Sequence, residues 1–251
     1  MDKMPLDFKQ IIGHRGLAAK APENTLASIK MAAKMGLKWV EFDVNTTQDN
    51  VPVLCHDNTL NRTTDGKGRV SKMDFATISQ LDAGSWFGPQ FKQEKIPTLL
   101  QALTQCKQLN LGINLELKPD SRITDAQIHH YINAVTATLL PFKNSIPLLV
   151  SSFNKDVIRS FKQNLNDIPL GFLLDRHETK HSLTTFAHEI NCYSFHLSMK
   201  QCRRFKSHIL AHFNKPLLVY TINNPAQANE LLQTDITAIF SDSLTPDLLS
   251  I

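Results

Sequence analysis

Two short runs alternate apolar and polar residues. In Trp39–Val44 one set of side chains is Val40, Phe42 and Val44, and the other carries Glu41 and Asp43. In Ile113–Lys118 one set is Ile113, Leu115 and Leu117, and the other is Asn114, Glu116 and Lys118. A period of two puts successive side chains on opposite faces of a β-strand. The same reading predicts strands over 10–14, 38–44, 112–118, 147–153, 169–174, 191–197, 217–223 and 237–241. Several are almost wholly apolar, as parallel strands covered by helices are. Helical spacing follows most of them, over 24–35, 98–109, 125–140, 155–164, 179–189, 198–212, 225–233 and 246–249. Asn24 and Thr98 suit helix caps, Pro225 and Pro246 suit a first helical turn, and Gly36 suits a left-handed stop.

Strand and helix alternating eight times point to an α/β fold, a (β/α)8 TIM-like barrel, as a single domain over residues 1–251. An open doubly wound sheet is the competing architecture. It favours a Gly-rich phosphate loop after the first strand, and Gly13-His14-Arg15-Gly16 is not that pattern. One stretch breaks the rhythm. After the short run Val51–Cys55, residues 57–95 hold turn signals at Asp65–Gly68 and Gly88-Pro89. We read them as a small inserted cap subdomain between the second strand and its helix. Phe75, Ile78, Leu81, Trp86, Phe87 and Phe91 give it material to pack.

In a barrel the polar strand faces point inward, and unpaired charge is costly there. His14 and Arg15 end the first strand, Glu41 and Asp43 lie on the second, His56 closes the short run, and Glu116 and Lys118 end the third. Strand ends converge at one end of a barrel. Glu41, Asp43 and Glu116 are hard oxygen ligands, suited to Mg2+ or Ca2+ rather than zinc. Glu41 and Glu116 could instead pair with Arg15 and Lys118 and bind nothing, but convergence from separate strands favours a divalent cation. Arg15 and Lys118 suit a phosphate-bearing substrate, and His14 and His56 can exchange protons near neutral pH. Metal, phosphate clamp and acid–base pair together describe phosphoester hydrolysis. His196 is a weaker candidate for lining the pocket. The histidines at 129, 130, 177, 181, 188, 208 and 212 read as surface residues.

The composition is 42% apolar and 20% charged with a formal charge of +4, ordinary for a globular protein. No Lys/Arg run marks a nucleic-acid partner. Four cysteines without a CxxC pair argue for buried thiols over zinc or disulfides. Residues 1–10 lack the apolar core of a signal peptide, and no apolar run suits membrane insertion, so a cytoplasmic location is expected.

The ordered motifs resemble those of the glycerophosphodiester phosphodiesterases, especially the cytoplasmic bacterial members. They are His14-Arg15-Gly16, Pro22-Glu23-Asn24-Thr25, Glu41–Val44, Val51–Asp57, Leu60–Gly68, Leu81–Phe87, Ile96–Leu99, Asn114–Lys118, Ser152-Phe153, Tyr220–Asn223 and Ile239–Asp242. The resemblance implies hydrolysis of glycerophosphodiesters, such as glycerophosphocholine or glycerophosphoethanolamine, to sn-glycerol 3-phosphate and an alcohol. It implies Glu41, Asp43 and Glu116 as metal ligands, His14 and His56 as the acid–base pair, and Arg15 and Lys118 beside the phosphate. Tyr220 stands where many members have Trp, and Asn50 replaces a turn Gly. Two alternatives stay open at this point. One is a lysophospholipase D or sphingomyelinase D type of phosphodiesterase acting on lysolipids; the other is a catalytically silent phosphoester-binding barrel.

Overall fold

The computed structural model describes residues 10–249. The reading of the N-terminal ten residues therefore falls almost wholly outside the described residues. In chain order the elements are β1 (Gln10–Gly13), α1 (Leu26–Lys34), β2 (Trp39–Thr46), β3 (Pro52–Leu54), α2 (Phe75–Ile78), α3 (Leu99–Gln108), β4 (Gly112–Leu117) and α4 (Asp125–Leu139). They continue with β5 (Leu148–Ser152), α5 (Lys155–Asn164), β6 (Leu170–Leu173), α6 (Lys180–Glu189), β7 (Ser194–Ser198), α7 (Met199–Phe213), β8 (Leu217–Tyr220), α8 (Pro225–Leu232) and β9 (Ala238–Ser241).

The strands run β1-β9-β8-β7-β6-β5-β4-β2, all parallel, and the β1–β2 pairing closes them into an eight-stranded barrel. This is the TIM-barrel fold expected from the alternation. The short β3 pairs antiparallel with β2 outside the ring. Side chains on one strand face, such as Val40, Phe42, Val44, Ile113, Leu115 and Leu117, join the helices in one large core. A separate buried cluster contains Ile12, Trp39, Leu149, Leu218, Ala238 and Phe240.

Helix boundaries follow local capping chemistry. Thr98, Thr124, Thr179 and Ser198 each accept a backbone N–H three residues on, within reciprocal capping boxes. Gly36 adopts φ 84°, as expected of a left-handed stop after α1. Two expectations are corrected. Thr25, not Asn24, caps α1, because the Asn24 side chain is committed to Asp43 instead. Pro246–Leu248 forms one 3-10 turn rather than an α-helix, so among the described residues no α-helix follows the last barrel strand.

Between β3 and α3 the chain forms 3-10 turns at Val70–Lys72 and Pro89–Phe91 around α2. Leu60, Val70, Ile78 and Ala83 pack with Val53, Cys55 and Ile96 in a small core of their own. Phe75 and Leu81 rest against that core, whereas Trp86 stays 41% exposed beside Phe87. Arg69 and Ser71 grip Asp120 in the β4–α4 connection, and Asn58 bonds Ser121, so this segment is tied down over the barrel.

Candidate active site

The strand register does most of the assembly. Asp43 on β2 stands directly across from Glu116 on β4, and Glu41 sits two residues earlier on the same face. Ligand oxygens of Glu41, Asp43 and Glu116 all lie within 4.8 Å of one another, and all three side chains are buried. The connection after β1 closes over them. The backbone N–H of Arg15 donates to Glu41 Oε2 at 2.9 Å. That approach needs Gly16 behind it at φ 86°, where a Cβ would strike Ser28.

Positive charge is present but insufficient. Lys118 Nζ lies 3.3 Å from Asp43 Oδ1 and 3.4 Å from Glu116 Oε1, and Arg15 Nε lies 3.6 Å from Asp43 Oδ2. The Arg15 guanidinium is also engaged by Glu23 at 2.8 Å. Burial opposes ionisation of Asp43, but the charges of Lys118, His56 and Arg15 overcome it and hold the carboxyl down at about 2. Burial and the Asp43 charge push Glu41 up to about 8 and Glu116 up to about 7. Oε1 of Glu41 has no hydrogen-bond partner, and Oε1 of Glu116 has no more than the Lys118 contact. Glu41 therefore does not pair with the Arg15 side chain, as a purely structural ion pair would require. Clustered buried carboxylates with unsatisfied oxygens fit a hard divalent cation, and the trio could hold one.

The two histidines flank this cluster in matching ways. His14 Nδ1 bonds Asp242 Oδ1 at 2.6 Å, which leaves Nε2 3.9 Å from Glu41 Oε2. His56 Nδ1 bonds Asp57 Oδ1 at 2.7 Å. A carboxylate on one ring nitrogen fixes the tautomer and orientation of the other. Burial lowers the pKa of His14, but the Asp242 hydrogen bond and the Glu41 charge outweigh it and the net direction is upward. For His56 burial prevails, helped by Lys118 and Arg15, and the direction is downward. His56 and Lys118 both border a cleft of about 520 Å³ walled by Asn58, Thr59, Arg69 and Ser121.

The seven site residues proposed from the sequence thus come from β2, from β4 and its C-terminal end, and from the connections after β1 and β3, the last carrying His56. His196 does not join them. It is fully buried on β7, bonded to Ser194 and packed on Phe240, so it lines no open pocket. Of the seven surface histidines expected, six are exposed and His208 is half-buried, bonded to Thr184. Sequence reasoning assigned no site role to Asp57, Asp242, Glu23 or Arg62, and gave Asn24 only a helix cap. Asp57 directly follows His56 and was open to discovery. Asp242 lies 228 positions from His14, so no local pattern reveals that pair.

A sequence model of the glycerophosphoryl diester phosphodiesterase family matches residues 14–245. The chain belongs to that family. Among relatives of this phosphodiesterase family, mouse glycerophosphodiester phosphodiesterase 1 is 40% identical over 161 residues, 63% of this chain. The match covers 47% of the mouse protein, so the chain spans about half the length of that relative. A putative glycerophosphodiester phosphodiesterase of Bacillus subtilis is 31% identical over 92% of this chain and 93% of its own. Among solved structures, a phosphodiesterase of Oleispira antarctica in complex with the product sn-glycerol-3-phosphate superposes with a TM-score of 0.83. It is 36% identical, with 94% of this chain and 93% of that chain covered.

Proposed function

We propose that this member of the family hydrolyses glycerophosphodiesters, such as glycerophosphocholine or glycerophosphoethanolamine, to sn-glycerol 3-phosphate and an alcohol. We place the activity in the cytoplasm, a reading supported by four free, buried cysteines. The observation that carries the proposal is the buried trio of Glu41, Asp43 and Glu116, flanked by two carboxylate-oriented histidines.

Glu41, Asp43 and Glu116 would hold a divalent cation, Mg2+ or Ca2+. When bound, that ion supplies neutralisation of the charge that builds on the phosphoryl oxygens. Arg15 and Lys118 add fixed positive charge on the substrate phosphate. His56, whose pKa burial lowers, takes the proton of the attacking hydroxyl. His14, whose pKa the Asp242 hydrogen bond raises, gives a proton to the leaving alkoxide.

The test is a panel of glycerophosphodiesters with coupled detection of sn-glycerol 3-phosphate, run with each metal in turn. Turnover that EDTA abolishes and Mg2+ or Ca2+ restores supports the reading. Near-full activity of Glu116→Gln would refute the metal assignment. Choline release from lysophosphatidylcholine in preference to glycerophosphocholine would refute the substrate class.

A further inference from the structure

We propose that Arg62, supplied by the inserted segment, is a positioning residue that fixes His56 and Arg15 together through one guanidinium. The inference rests on the hydrolytic reading above and deepens it.

Arg62 makes four short contacts to two carboxylates. To Glu23 it donates from both terminal nitrogens, each at 2.7 Å. To Asp57 it donates from Nε at 2.8 Å and from a terminal nitrogen at 3.1 Å. Each carboxylate then reaches one residue of the site. Asp57 Oδ1 bonds His56 Nδ1 at 2.7 Å, and Glu23 Oε1 accepts from Arg15 at 2.8 Å. The result is an unbroken chain of contacts, His56–Asp57–Arg62–Glu23–Arg15. One end is the proposed base and the other is the proposed phosphate binder.

The energetics favour a geometric role over a structural one. The Arg62 side chain is 44% exposed, and without it the Glu23 carboxylate still has Arg15 at 2.8 Å, so no buried charge is left unpaired. A planar fork engages two carboxylates in fixed directions, whereas an ammonium is a point charge that sets no direction. Glu23 is mostly buried, only 10% exposed, so its orientation is already restricted. Arg62 transmits that restriction to Asp57, which is more open and has no other side-chain partner but His56 among the described residues. Without the guanidinium, Asp57 is free to swing toward water and release the His56 ring. Arg15 would keep its Glu23 contact but lose the second clamp on that carboxylate.

The experiment compares wild type with Arg62→Ala, Arg62→Lys, Asp57→Asn and the Arg62→Ala/Asp57→Asn double variant. Arg62→Ala should lower kcat for glycerol 3-phosphate release by about 10–100-fold, the range for groups that orient a reacting side chain. Its thermal midpoint should stay at the wild-type value. Added guanidinium ion should restore part of the loss, and Arg62→Lys should fall between. The double variant should lose less than the product of the single losses, because both act on His56. A second readout needs neither metal nor turnover. Nitrogen-15 NMR of the metal-free protein should show His56 protonated on Nδ1, and Arg62→Ala should convert it to a mixture of tautomers. Wild-type kcat in Arg62→Ala, or independent losses with an unchanged His56 tautomer, would overturn the proposal. If the wild type releases no glycerol 3-phosphate, the hydrolytic reading fails, and the tautomer measurement alone decides whether Arg62 orients His56.

Discussion

Asn24 holds Asp43 at two points. Its side-chain Nδ2 donates to Asp43 Oδ2 at 2.9 Å, and its Oδ1 accepts the Asp43 backbone N–H at 3.1 Å. To do so Asn24 adopts φ 57°, a left-handed conformation that asparagine tolerates better than most residues. The clasp ties the β1–α1 connection to β2 and aims the central carboxylate of the trio. It also explains why the helix cap passes to Thr25.

Removing this clasp should weaken the cation site without unfolding the barrel. We expect Asn24→Ala to reduce divalent-cation affinity by about 10–100-fold, as for other groups that orient metal ligands. Isothermal titration calorimetry with Mg2+ and Ca2+ measures it. Unchanged affinity would show that Asp43 is held well enough by Lys118 and Arg15.

Asp242→Asn tests the orientation of His14. Asp242 is itself anchored by Asn223 Nδ2 at 2.7 Å, so its carboxylate presents a fixed acceptor to His14 Nδ1. Losing that charge should lower kcat, and it should also shift the pH profile in a defined direction. On the proposed mechanism His14 acts in its protonated form, so the rate should fall as pH rises through its pKa. The Asp242 hydrogen bond raises that pKa against the effect of burial. In Asp242→Asn the high-pH fall in rate should therefore begin at lower pH than in wild type.

His196 makes acid stability a separate prediction. Burial pushes its pKa down from 6.5 to about 3, and its Nδ1 has no hydrogen-bond partner. Above pH 6.5 the ring is neutral in both folded and unfolded chains and contributes no pH dependence. Below it the unfolded chain binds a proton that the folded chain refuses. Folding stability should fall by about 1.4 kcal/mol for each pH unit between the two values. Chemical denaturation at pH 7, 5.5 and 4.5 should show a smaller decline in His196→Gln than in wild type. Equal declines would mean the ring is protonated in the folded protein.

Gly16→Ala should disturb the site through the backbone. A Cβ at this position would lie 2.3–2.7 Å from Ser28 atoms, and φ 86° is unfavourable for alanine. We expect a loss of about 1–3 kcal/mol in stability, the usual scale of such strain. The Arg15 N–H would move off Glu41 as the turn relaxes, so metal affinity should fall as well. Urea titration and calorimetry on the same variant check both effects.

Much of the barrel was legible because its signals are local. Period-two alternation marked β2 and β4, and Thr98 and Gly36 marked helix ends by chemistry within a few residues. Asn50 likewise takes the expected left-handed turn, at φ 59°. The misreadings have physical causes. Asn24 has the composition of a cap, but a partner 19 residues away competes for its amide. Pro246 begins a helical turn that the next few residues do not extend. His196 sits at a strand end in sequence, yet it is enclosed beside Ser194 and Phe240.

The sequence by itself determined which side chains face inward on β2 and β4, because alternation along a strand is fixed by backbone geometry. It therefore determined that Glu41, Asp43 and Glu116 would share the barrel interior. Only the tertiary structure decided what holds the two histidines and Arg15 in place. Asp242 reaches His14 across almost the whole chain, and Arg62 reaches Glu23 from 39 residues away. Such contacts depend on barrel closure and on where the inserted segment folds back, and neither leaves a periodic trace in the order of residues.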